Sequence, residues 1–102
     1  MSIINKLHIS EICTKNSSLK DDVLNYKKNN LGIELWENKF HPEYFEKEID
    51  WLEQQEIHVS SLQPNVMTIY PSMSVTEPTD PAERVDLFCR AIDRFSRFLK
   101  GV

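Results

Sequence analysis

Leu31-Gly32-Ile33-Glu34-Leu35-Trp36 decides how this chain is read, because it is a strand signal set between two helix signals. Ile33 and Leu35 fall on one face of an extended segment, and Glu34 and Trp36 on the other. Upstream, Ser17 or Ser18 offers an N-cap, and Leu19, Val23 and Tyr26 recur at helical spacing. Asn29-Asn30 ends that helix, since asparagine tolerates the left-handed conformation found there. Downstream, Pro42 sits where a first helical turn begins and its missing N–H costs nothing. Phe45, Ile49 and Leu52 then form an apolar stripe flanked by Tyr44 and Trp51.

The same pattern extends outward. Residues 7–12 alternate, with Leu7 and Ile9 opposite His8 and Ser10. Residues 57–62 repeat this, with Ile57 and Val59 opposite His58 and Ser60. A loop from Gln63 to about Thr79 carries Pro64, Pro71 and Pro78, and its length marks it as functional or mobile. Asp80 then caps a third helix, with Pro81 in its first position and Glu83 completing a capping box. Val85, Phe88, Ile92, Phe95 and Leu99 advance by three and four residues as its core stripe, and Gly101 fits a C-terminal cap.

The order is βαβαβα, which requires crossovers and therefore a parallel sheet, with right-handed connections. Each strand has an aliphatic face and a face with polar groups. A doubly wound sheet is covered on both faces and is apolar throughout. Helices on one side only account for the asymmetry, with the polar faces turned into a barrel. The expected fold is therefore α/β, a partial TIM (β/α)8 barrel of three βα units with parallel strands. Sites in such barrels lie at the carboxyl ends of the strands, here Glu11 to Thr14, Trp36 to Asn38 and Leu62 to Asn65. Three strands cannot close a barrel, so residues 1–102 are expected to be the N-terminal part of one.

Composition narrows the function. The 102 residues include 40% hydrophobic and 27% charged, with a net charge of −4, against the basic face that nucleic-acid binding demands. No apolar run approaches the ~20 residues needed to span a bilayer, and the first six residues lack a signal-peptide pattern. A cytoplasmic protein is expected. Only two glycines occur, which leaves no Gly-rich phosphate cradle. Cys13 and Cys89 have no CxxC spacing and read as free thiols, Cys13 as a buried small hydrophobe.

Leu7-His8-Ile9-Ser10-Glu11-Ile12-Cys13-Thr14, Gly32-Ile33-Glu34-Leu35-Trp36-Glu37, Val59-Ser60-Ser61-Leu62-Gln63-Pro64 and Asp80-Pro81-Ala82-Glu83-Arg84 are together similar, in order and spacing, to the first three βα units of the sugar phosphate isomerase/epimerase family, the xylose isomerase-like barrels. The resemblance implies eight strands and roughly 250 residues. It also implies a metal-dependent isomerisation or epimerisation of a sugar, sugar phosphate or cyclitol. The divalent metal (Mn, Mg, Zn or Co) and the catalytic carboxylates belong to later strands, so the resemblance assigns no cofactor and no activity to these residues alone. What carries over is a substrate-side wall: Ser10, Glu11, Thr14, Trp36, Glu37, Gln63 and Asn65. A dehydratase or endonuclease-like barrel, or a small self-associating module without catalysis, are the alternatives.

Other clusters have plainer readings. His8, Glu34 and His58 share a face and could ligate a metal, but a hydrogen-bonded polar layer is the simpler expectation. Glu11 and Glu37 read as an acid–base pair or as rim charges. Arg90, Arg94 and Arg97 lie along one helical face, with Asp86 four residues before Arg90 and Asp93 four before Arg97, which makes a charge-compensated surface. Phe88, Phe95 and Phe98 read as core.

Overall fold

The computed structural model describes residues 7–66, 68–73 and 75–99; the expected Gly101 cap and the first six residues lie outside them. The elements are β1 (His8–Ser10), α1 (Leu19–Lys28), β2 (Gly32–Trp36), α2 (Phe45–Gln54), β3 (Val59–Gln63) and α3 (Pro81–Arg94).

Local chemistry sets the boundaries. The Ser18 hydroxyl accepts the amide proton of Asp21 at 3.1 Å and starts α1. At its other end Asn30 has φ 61°. Its amide donates to the Lys27 carbonyl at 3.0 Å, while the Leu31 amide donates to that of Tyr26 at 2.9 Å, a Schellman closure. α2 leaves through Glu56, also left-handed at φ 56°. Asp80 accepts from the Ala82 amide at 3.0 Å and starts α3 at Pro81. β1 is shorter than the alternation suggests. The Ser10 hydroxyl accepts the Ile12 amide proton at 3.3 Å, and Glu11–Thr14 wind into a 3-10 turn. That turn points Glu11 inward and leaves Ile12 and Cys13 exposed, so Cys13 is not the buried hydrophobe expected.

The three strands are parallel and lie in the order β1-β2-β3. Ile9 is opposite Ile33, and Ile33 is opposite Val59. The β2–β3 ladder then skips Ser60 and resumes with Glu34 opposite Ser61, Leu35 opposite Leu62 and Trp36 opposite Gln63. This bulge matters. Strict alternation would put Gln63 on the face of Val59; the extra residue returns Leu62 to the aliphatic face and gives Ser61 and Gln63 to the polar one.

All three helices feed one core on that aliphatic face. Leu19, Val23 and Tyr26 come from α1, Phe45, Ile49 and Leu52 from α2, and Phe95 from the end of α3. They meet Ile33, Leu35 and Val59, with Ile9 and Leu62 partly buried beside them. Phe95 stands edge-on to Phe40 at 4.9 Å and to Phe45 at 5.2 Å. On the opposite face Ser10, Glu34, Trp36, Ser61 and Gln63 keep partial exposure. The α/β class, the parallel βαβαβα order and the one-sided packing are thus present.

α3 departs from its expected stripe. Phe95 is fully buried, but Val85, Phe88 and Ile92 are 43%, 41% and 43% exposed. Arg84, Ala91 and Phe95 form the inward face instead. The cause is the loop after β3, whose carbonyls need donors. Arg84 supplies them, from Nε to the Thr68 carbonyl at 2.9 Å and from a terminal nitrogen to that of Pro78 at 2.8 Å. Turning Arg84 inward rotates the apolar stripe out. Of the arginine pairs, Arg90–Asp86 forms at 3.0 Å. Arg97 instead reaches Asp50 at 3.2 Å and Glu53 at 3.1 Å on α2. Arg94 lies 4.0 Å from the Phe45 ring centroid.

Candidate binding site at the carboxyl ends of the strands

Glu11 follows β1 directly and has no solvent exposure. Its Oε1 accepts the Trp36 amide proton at 3.0 Å. Asp22 of α1, 2% exposed, faces it. Lys39, in the turn after β2, donates from Nζ to Asp22 Oδ2 and to the Thr14 carbonyl, each at 2.5 Å. The Thr14 hydroxyl and the Tyr26 phenol share a further hydrogen bond at 2.5 Å. A connected polar network therefore links the ends of β1 and β2 with α1. Burial, reinforced by the Asp22 carboxyl, pushes the Glu11 acid up to about 9. At neutral pH it holds a proton. Its other oxygen, Oε2, is buried and makes no hydrogen bond. Burial also raises the Tyr26 phenol.

The other wall residues divide into two groups. The hydroxyls of Ser10 and Thr14 are engaged in the local bonds described above. Glu37 joins two elements: its Oε1 accepts the Asn65 amide proton at 2.9 Å, and its Oε2 meets Arg94 at 3.4 Å. Trp36 and Gln63 are register partners on the polar face, and Gln63 Oε1 is buried with no hydrogen-bond partner. Asp22, Tyr26 and Lys39 are the members that sequence reasoning missed. Asp22 had a signal, because it falls on the buried helical stripe of Leu19, Val23 and Tyr26, where a charge needs a partner. Lys39 had none.

Two clefts open at this end. One, of 310 Å³, lies between the β1–α1 and β2–α2 connections; Trp36, Asn38 and Lys39 line it from one side, and Lys15, Ser17 and Lys20 from the other. The second, of 410 Å³, is lined by Glu37, Asn65, Val66, Leu87, Arg90 and Arg94. The polar layer expected of His8, Glu34 and His58 exists as two separate pairs. His8 Nε2 and His58 Nδ1 are 2.6 Å apart, and Ser61 donates to Glu34 at 2.9 Å.

Compared with protein-family models, curated proteins and solved structures, the chain finds no match. Among the described residues no group of three or more His, Cys, Asp or Glu is disposed to hold a metal ion. No helix among them is long and apolar enough to cross a membrane.

Proposed function

We propose that this chain provides the first three βα units of a xylose isomerase-like barrel and one wall of a site for a sugar, sugar phosphate or cyclitol. The observation that carries the reading is the 310 Å³ cleft at the carboxyl ends of β1 and β2. Its volume lies at the small end of ligand pockets. Its lining offers contacts for a polyhydroxylated anion: the indole of Trp36 can cover a sugar ring, Ser17 and Asn38 can bond hydroxyls, and Lys15 and Lys20 add positive charge, while the one carboxylate in the lining, Glu48, is turned to His41. The one-sided sheet supports the same reading, since its polar face is the one a barrel turns inward.

Within that reading Glu11 is a positioning residue. It fixes the Trp36 backbone and, through Asp22, the Lys39 ammonium, and so holds one side of the cleft. Isomerisation requires a base and an electrophile beyond these groups.

Titration with ribose 5-phosphate, inorganic phosphate and neutral ribose, followed by NMR amide shifts, tests the proposal. Saturable binding of ribose 5-phosphate, tighter than either part and weakened at least about fivefold by Trp36→Ala, is expected. No saturation by any of the three, or binding indifferent to Trp36→Ala, overturns it. A self-associating module is the second reading, favoured by the exposed Val85, Phe88 and Ile92. A solution mass above one chain supports it.

A further inference from the structure

We propose that His8 and His58 form a two-imidazole chelate for a divalent transition metal of tetragonal preference, Cu²⁺ or Ni²⁺, on the polar face of the sheet at the amino ends of the strands. The site is independent of the cleft and of the isomerase reading.

Three observations carry it. First, the two rings come from opposite sides of the central strand, His8 opening β1 and His58 directly preceding β3, yet His8 Nε2 and His58 Nδ1 are 2.6 Å apart. Second, Gly32 of β2 makes room for them: a Cβ there would stand 2.1 Å from His8 Cδ2 and 2.4 Å from His8 Nε2. Any other residue at this position would push the rings apart. Third, both backbones are fixed by the sheet. The Gly32 amide bonds the Leu7 carbonyl and the Ile33 amide bonds the His58 carbonyl, each at 2.9 Å.

Ligand chemistry chooses the metal. With metal–nitrogen bonds of about 2.05 Å, two cis ligands at a right angle have nitrogens about 2.9 Å apart, and two tetrahedral ligands about 3.3 Å. From 2.6 Å the pair must open, and both rings must turn so that their lone pairs converge on a point beside the line between the two nitrogens. Right-angled nitrogen ligation is the geometry of Cu²⁺ and Ni²⁺, which also bind imidazole more tightly than earlier divalent ions. Binding replaces the hydrogen bond between the rings, and water completes the coordination. Glu34, next along β2 on this face, is held by Ser61 and is not a ligand.

The test is calorimetric titration of the protein with CuCl₂, NiCl₂ and ZnCl₂. One ion per chain is expected, with Cu²⁺ tightest and Ni²⁺ tighter than Zn²⁺. His58→Ala and His8→Gln each weaken Ni²⁺ binding by about tenfold or more, as loss of one of two ligands requires. His41→Ala, remote from the pair, leaves it unchanged. Circular dichroism identifies any variant that fails to fold, and the other then decides. Absence of stoichiometric binding, a Zn²⁺ preference over Ni²⁺, or equal affinity in the folded His58→Ala or His8→Gln variant overturns the proposal.

Discussion

The amide of Trp36 donates to Glu11 Oε1 at 3.0 Å, a bond that ties the end of β1 to the end of β2 inside the protein. It makes a carboxyl group part of the interior, with consequences for pH.

In the unfolded chain Glu11 loses its proton near 4.5, the ordinary value for a glutamate, whereas in the fold it keeps it up to about 9. Between these values the folded state binds more protons at Glu11, so this group's contribution to stability is fullest below about pH 4.5 and falls as pH rises towards 9, by up to about 1.4 kcal/mol per pH unit. Glu11→Gln mimics the neutral acid and flattens that slope. Urea unfolding of both proteins at about pH 5, pH 7 and pH 9 checks this, and parallel curves would refute it.

Lys39 and Asp22 form an ion pair whose side chains are 4% and 1% exposed. Lys39→Met strands the Asp22 carboxyl in the interior and should cost about 3–5 kcal/mol. The double variant Lys39→Met/Asp22→Leu should recover most of that loss. A double-mutant cycle in denaturant measures the coupling, and additive losses would show that the pair is not the unit.

Glu56 holds φ 56° at the end of α2, a conformation that glycine adopts without strain. Glu56→Gly is therefore expected to stabilise the fold, by about 0.5–1 kcal/mol, despite the general cost of adding glycine. Thermal unfolding shows it as a rise in Tm.

Gly32→Ala places a methyl group 2.1 Å from His8 Cδ2 and 2.8 Å from the His58 carbonyl oxygen. The expected cost is about 1–3 kcal/mol. His8→Ala in the same chain removes part of it. The remainder reflects the backbone contact, which no side-chain change relieves.

The alternation around Ile33 and Leu35 and the caps at Ser18, Asn30 and Asp80 made the order of elements legible, because each rests on local chemistry within a few residues. Two features were not local. The bulge at Ser60 exists only in the pairing with β2, so alternation within β3 could not reveal that Gln63 joins Trp36 on the polar face. The inward turn of Arg84 answers carbonyls of Thr68 and Pro78, which stand 16 and 6 residues away along the chain. The candidate site was half visible: Glu11 and Trp36 stood out at strand ends, but Lys39 acquires meaning only through the Asp22 it meets across 17 residues.

The uncovered strip on α3 is part of the apolar surface that the protein shows to solvent. Val85, Phe88 and Ile92 recur at helical spacing, and hydrocarbon left in water forgoes about 25 cal/mol for each square ångström. Salts such as sulfate, which are excluded from protein surfaces, strengthen any contact that shelters this strip. Salting-out will therefore engage this helix together with the exposed Ile69, Tyr70 and Met73 of the preceding loop.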